Sequence, residues 1–215
     1  MSTPRSDDSR IRRVPDRGRY DTETIYAILD AALVSHVGLV SGGRPIVIPM
    51  LHGRDGDALY LHGSVASRLQ RAVAGGVDVC VTATIVDGLV FARSSFHHSM
   101  NYRSVVAFGQ AHAAEDDEKV HGLRTIAEHL TPGRWAEARE PNDIELRQTS
   151  VLRLRIDEAS AKIRTGGPVD DEEDIELPIW AGVLPLIPRW DAPIDAGDLP
   201  PGVDPSAAVE RLRMR

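Results

Sequence analysis

The sequence predicts a mainly β protein, a small barrel with helices capping its ends. Three observations carry that expectation. Between His36 and Gln110 the chain breaks into short β-branched runs separated by turn residues. Only a few segments repeat their apolar residues at a helical period. Hydrophobic residues make up 42% of 215 positions and charged residues 27%, an ordinary globular balance that fills a core without disulfides.

Residues 1–20, rich in Arg, Asp, Ser and Pro, read as a flexible arm ahead of one main domain over 21–190; 191–215 read as a tail. Asp21 is placed to cap a helix whose face is Ile25, Ile28, Leu29 and Ala32. His36–Val40 and Pro45–Leu51 flank a Ser41-Gly42-Gly43 turn as two strands. Pro45 and Pro49 cannot donate to a ladder, so an irregular or edge stretch is expected there. Ala58–His62 forms the next strand, and a short helix over Ala66–Val73 stops at Gly75-Gly76. Val77, Val79, Val81, Ala83 and Ile85 alternate along a clear strand, and Asp87-Gly88 reads as a hairpin turn into Leu89–Arg93. Tyr102–Ala113 is a further strand. Asp117–Leu130 is a helix with Val120, Leu123, Ala127 and Leu130 on one stripe, and a short helical piece near Arg134–Arg139 follows. Val151–Asp157 alternates as a half-buried strand, with a further strand over Lys162–Arg164. Asp170–Glu176 reads as a solvated acidic loop. Half the prolines fall between Pro178 and Pro205, yet the segment around Trp180–Leu186 is too apolar for a free tail and must lie on a surface.

A formal charge of −7 argues against non-specific nucleic-acid binding. The arginines of the arm are a local exception that fits a solvated or partner-touching segment. No apolar run approaches the roughly 20 residues a bilayer span needs, and the polar start lacks the apolar segment of a signal peptide. With Cys80 the only cysteine, a reducing cytoplasm is expected.

Two segments are dense in groups that bind. In His62-Gly63-Ser64-Val65-Ala66-Ser67-Arg68 a strand passes into a helix, where free backbone N–H groups favour an anion. Two hydroxyls and a guanidinium there suit a phosphate; ordinary capping by Ser64 beside a surface Arg68 is the simpler alternative. Ser94 to Gly109 packs donors, acceptors and aromatic rings ahead of a strand: either a ligand rich in carbonyls and ring nitrogens pairs them, or they brace a β-corner.

Together these segments resemble the pyridoxamine 5′-phosphate oxidase-like flavoproteins. Ser67-Arg68 is similar to their phosphate-binding pair, Asn101-Tyr102-Arg103-Ser104-Val105 through Gly109 to a flavin-contacting strand, and Trp180–Leu186 to the C-terminal stretch of a bacterial flavin-nucleotide-binding subgroup. The resemblance covers about residues 20–190 and implies an FMN-binding split β-barrel that works as a homodimer with flavin at the subunit interface. It further implies that Val47, Ile48, Pro49 and Met50 line the isoalloxazine edge and that His62 and Gly63 approach the ribityl chain. Ser67 and Arg68, with Ser64 beside them, hold the phosphate. Asn101, Tyr102, Arg103 and Ser104 reach the ring or ribityl oxygens, and Trp180 covers the flavin from the partner.

The chain also departs from the oxidase proper. Leu69 stands where the family's phosphate motif continues with lysine, and Met50 where oxidases place another. No convincing counterpart of the arginine–histidine pattern that grips pyridoxal phosphate is present. Three readings follow: an FMN-dependent oxidoreductase acting on an unknown small molecule, an FMN carrier or sensor without turnover, or a haem-binding split barrel with a ligand such as His98. A deazaflavin reductase is a variant of the first. No side chain stands out as general acid or base, and no metal site is expected from the scattered histidines.

Overall fold

The computed structural model describes residues 6–73 and 76–214; the side chains of Arg68, Gln70 and Arg71 lie outside what it describes. Among the described residues nine strands form one sheet: β1 Gly18–Arg19, β2 Val34–Ser41, β3 Arg44–Asp55, β4 Ala58–Ser64, β5 Val77–Phe91, β6 Ser99–Ala114, β7 Thr149–Arg155, β8 Glu158–Arg164 and β9 Gly182–Pro185. Five α-helices accompany them: α1 Thr22–Ala31, α2 Arg68–Val73, α3 Asp116–Leu130, α4 Asp143–Gln148 and α5 Ala207–Arg213. The hydrogen-bonding order is β1-β8-β6-β7-β4-β3-β2-β5-β9, and β6 also pairs with β5, so the run from β6 through β7, β4, β3 and β2 to β5 closes on itself. This is the expected mainly β barrel. Its residues fall into two compact units.

The first unit comprises residues 1–49, 78–110 and 156–187. Asp21 caps α1 as the sequence predicts, accepting the Thr24 N–H at 2.8 Å, and Ile25, Ile28 and Leu29 are buried. Val79, Val81 and Ala83 of β5 alternate into the core with Val37 of β2 and Val105 and Ala107 of β6. Residues 6–20 run along this unit: Ser9 is buried and donates to Glu158 at 3.1 Å, and Gly18–Arg19 pairs with Ala161–Lys162 of β8.

The expected hairpin at Asp87-Gly88 is not there; β5 runs straight through it. The reason lies almost a hundred residues on. Gly88 pairs with Pro185 of β9, the Leu186 N–H donates to the Asp87 carbonyl at 3.0 Å, and a Cβ on Gly88 would sit 2.8 Å from the Leu184 carbonyl oxygen. Glycine at this position serves close approach of a strand, not a turn. The proline-rich segment thus supplies a strand the sequence reading lacked, at a sheet edge where proline costs no ladder bond. The loop at 170–176 is also tied rather than solvated at its start. Arg93 and the nearly buried Asp170 pair at 2.7 Å, and His97 and Asp171 at 3.0 Å.

The second unit comprises residues 50–77, 111–155 and 188–215. Here β4 pairs with β3 on one side and β7 on the other, and α3 packs on their surface. Its buried stripe is Gly122 and Ile126, flanked by Leu123 and Leu130, while Val120, counted into the stripe from sequence, is 37% exposed. A glycine carries no apolar signal, yet Gly122 and Gly53 set how closely α3 approaches. A Cβ on Gly122 would meet Tyr60 and Val151 at 2.7 Å, and one on Gly53 would meet Thr125 backbone at 2.6 Å. Two elements were not predicted from the sequence. Asn142 and Glu145 cap α4 reciprocally, and α5 is held where Glu137 accepts the Ala208 N–H at 3.1 Å. No helix among the described residues is long and apolar enough to cross a membrane.

Candidate functional site

In the second unit, β4 delivers His62, Gly63 and Ser64 to a turn that leads into α2 at Arg68. The backbone donors of this turn are already spent. Val65 N–H donates to the Gln148 carbonyl at 3.3 Å, Ala66 N–H to the Ser64 hydroxyl at 3.3 Å, and Ser67 N–H to the Ser64 carbonyl at 2.9 Å. The N–H groups of residues 65–67 are thus satisfied within the chain, with Ser64 as a turn cap, and an anion at this junction would meet the N–H groups of the first turn of α2. The Arg68 side chain lies outside the described residues, whereas its backbone opens α2. Met50 is half-buried on β3.

His62 is half-buried, and burial pushes its imidazole below the usual histidine range, toward the neutral form. It lines a cavity of about 320 Å³ with Leu123, Ile126, Ala127 and Leu130 of α3 and with Trp135. Glu145 also lines it. Two hydrogen bonds from Arg139, at 2.6 and 3.0 Å, and one from the Asn142 N–H hold that carboxylate down to about 2.

In the first unit, the polar run from Ser94 pairs largely within the chain. Asn101 is buried: its amide donates to the Gly166 carbonyl at 3.1 Å and its oxygen accepts from Arg164, itself buried and bonded to the Gly166 and Gly167 carbonyls. Arg103 grips Asp87 in a fork, Nε to Oδ2 at 2.9 Å and Nη2 to Oδ1 at 2.7 Å. The Ser104 hydroxyl donates to the Lys162 carbonyl at 3.3 Å, and Tyr102, between Asn101 and Arg103 in sequence, is half-buried. Of the two readings of this segment, bracing of the fold accounts for Asn101, Arg103 and Ser104 as they stand. The partners lie at positions 87 and 162–167, which no local pattern reveals.

Around this strand lies an aromatic row. His98 meets Phe91 edge-on at 5.5 Å, and Phe91 meets Trp180, 68% exposed, at 5.9 Å. His98 Nδ1 lies 3.1 Å from the Ser94 carbonyl. A larger cavity of about 840 Å³ has Leu39, Val40, Val47, Val79 and Phe108 in its wall and Asp8, Asp78, Asp157 and Glu158 among its lining residues. Val47 and Pro49 are exposed on β3 and Ile48 half-buried. Cys80 also lines this cavity, and burial pushes its thiol up, toward the protonated form.

The two cavities were not foreseen from sequence. Their walls are assembled from segments far apart in the chain, and of the predicted cofactor contacts His62 and Val47 line them.

Comparison with known proteins places this geometry. Residues 21–163 match the family described as pyridoxamine 5′-phosphate oxidase. The flavocytochrome Anf3 from Azotobacter vinelandii is 40% identical over 97% of both chains, with a TM-score of 0.89. A FAD and heme binding protein from Mycobacterium smegmatis is 38% identical over 92% of this chain and 97% of that one, with a TM-score of 0.87. No curated protein matches the chain.

Proposed function

Because the chain belongs to the pyridoxamine 5′-phosphate oxidase family, we propose that it is a flavin-binding redox protein that also holds haem. One observation carries the reading. The similarity to a flavocytochrome, and to a protein that binds both FAD and haem, extends over at least 92% of this chain, well beyond the 21–163 that define the family.

The flavin is FMN in this reading, with Ser67 and Arg68 as the phosphate ligands at the β4–α2 turn. The backbone N–H groups of residues 65–67 are engaged within the chain, so the phosphate is held by the first turn of α2 and by the Ser67 and Arg68 side chains. The remaining ring and ribityl contacts are those the resemblance implies. Bound flavin supplies hydride or single-electron transfer through its ring, and the protein's part is to bind, orient and exclude water. The activity is that of an oxidoreductase on a small molecule, in the cytoplasm. The protein works as a homodimer, which gives a role to exposed apolar residues such as Val40 and Val47, 64% and 65% accessible.

The fit of haem rests on donor chemistry. Iron takes an imidazole, thiolate or thioether, and the protein offers the exposed His98 imidazole, beside Phe91, which in turn meets Trp180.

The visible spectrum of freshly purified protein tests the reading: a flavin band near the blue together with a Soret band is expected, and a colourless protein that takes up neither group on reconstitution overturns it. Heat-released flavin identified by mass separates FMN from FAD. Arg68→Ala should weaken flavin by about 2–4 kcal/mol, the cost of truncating one partner of a hydrogen-bonded charge pair, with the fold retained. Unchanged affinity, read by fluorescence titration, removes Arg68 from the phosphate site. Sedimentation tests the dimer.

A further inference from the structure

A guanidinium taken out of water keeps its proton, and folded proteins ordinarily set a carboxylate against it. The arginines of the first unit divide on this point. Arg103 on β6 grips Asp87 in a fork, and Arg93 pairs with Asp170 at 2.7 Å, so both charges are cancelled where they stand. Arg164, the last residue of β8, is 5% exposed, and among the described residues no carboxylate lies within ion-pair distance of it.

The Arg164 guanidinium bonds only neutral oxygens. Nη1 donates to the Asn101 side-chain oxygen and to the Gly166 carbonyl at 3.2 Å, and Nη2 to the Gly167 carbonyl at 3.0 Å. Nε is buried and has no hydrogen-bond partner. Burial, and next the neighbouring Arg17 guanidinium, push Arg164 below the ordinary arginine range, while Tyr102 acts the other way. A second cation close by makes the lack of a carboxylate costlier still. Tying the Gly166-Gly167 turn to β6 explains the three hydrogen bonds but not the bare charge, because a paired guanidinium would make the same bonds at lower cost.

The bare charge lies beside two of the residues to which the resemblance gives the flavin. Asn101 is fixed by it. A guanidinium can only donate, so the Asn101 oxygen faces Arg164, while the amide nitrogen donates to the Gly166 carbonyl at 3.1 Å. Tyr102 stands opposite Arg164 in the β6–β8 register, so the two side chains leave the same face of the sheet as neighbours. Arg103, next along β6, leaves the other face opposite Ile163 and is neutralised there by Asp87.

We propose that Arg164 tunes the bound flavin: its buried, unpaired guanidinium, next to Asn101 and Tyr102, favours the reduced form of the ring. The inference rests on the flavin site proposed above and adds the charge that sets its potential. Reduction makes the flavin ring more negative, and a fixed cation in a medium of low dielectric stabilises that state more than the oxidised one. Arg164 is a positioning residue in this role, acting by its charge and through Asn101. Arg103 is excluded from it by its own carboxylate.

Full-length protein is loaded with FMN, and the flavin's reduction potential is measured spectroscopically for wild type, Arg164→Gln, Arg164→Lys and Asp87→Asn. The wild-type potential should lie above that of free FMN. Arg164→Gln should lower it by the equivalent of about a tenfold change in the equilibrium, about 30 mV for a two-electron couple. Arg164→Lys keeps the charge but not the fork of hydrogen bonds, and should stay near wild type. Asp87→Asn uncovers the Arg103 charge and should raise the potential. A purely structural Arg164 would move the thermal melt of its variants and leave the potential alone. A wild-type potential in flavin-loaded Arg164→Gln, an equal fall in Arg164→Lys, or a fall in Asp87→Asn overturns the proposal. So does a wild-type potential at or below that of free FMN, a result that needs no variant to fold. Failure of wild type to bind FMN overturns the flavin reading itself, and is seen before any potential is measured.

Discussion

Two cavities of this protein differ in a way that is not a matter of size. The larger, about 840 Å³ in the first unit, combines an apolar wall with four carboxylates and offers Cys80, its thiol pushed up by burial, as its only soft donor. The smaller, about 320 Å³ in the second, has one histidine and one carboxylate, Glu145, among aliphatic side chains and a tryptophan. Volume alone would direct attention to the first. Their chemistry differs as well: half-burial holds the His62 imidazole toward its neutral form, whereas aspartates at an open surface are solvated at little cost.

The comparison can be broken most decisively at the wall of the smaller cavity. Gly53→Ala drives a methyl into the backbone of Thr125 and Ile126, which cannot swing aside. A loss of about 1–3 kcal/mol of stability is expected, the usual cost of overpacking, with α3 displaced. Gly122→Ala meets the side chains of Tyr60 and Val151 instead and should cost less, because side chains can yield. Urea unfolding of the two variants measures the difference, and equal losses would show that α3 does not rest on Gly53 as tightly as the geometry requires.

A smaller effect comes from acid. Arg139 and the Asn142 N–H hold the Glu145 carboxylate at about 2, below its ordinary 4.5. A depressed folded-state value means that its contribution to stability is complete above about pH 4.5 and is lost as the pH falls toward 2. Acid unfolding of wild type and Glu145→Gln should therefore differ above pH 4.5 and converge below it. A constant offset across that window would show that the ion pair does not set the effect.

The smallest expected change is at the larger cavity. Asp78→Asn, at an exposed lining position, should alter stability by no more than about 0.5 kcal/mol. It should nevertheless raise the uptake of an anionic apolar dye, followed by fluorescence, because one of four repelling carboxylates is gone. Unaltered dye binding would mean that the carboxylates do not govern what this cavity admits.

What could be read directly from the chain was local and periodic. The cap at Asp21, the α1 face, the alternation along β5 and the Ser41-Gly42-Gly43 turn each rest on residues within a few positions of one another, and the barrel expectation followed from their sum. Two motif-bearing segments also stood out, enough to suggest the family to which the chain belongs.

Pairing across long separations was decided only in three dimensions. Asp87-Gly88 has the composition of a hairpin turn and became continuous strand because β9, almost a hundred residues later, lies against it. Arg103 and Asn101 resemble ligand-binding groups, yet their partners are Asp87, Arg164 and Gly166. His62 drew notice for its neighbours Ser67 and Arg68 in sequence, while its surroundings in space are supplied by α3 and Trp135. The physical reason is common to all three. A turn or a cap is a contest among nearby dihedrals and hydrogen bonds, and composition predicts its winner; a polar side chain is satisfied by whichever partner the completed fold brings within 3 Å, and that partner leaves no trace in the residues beside it.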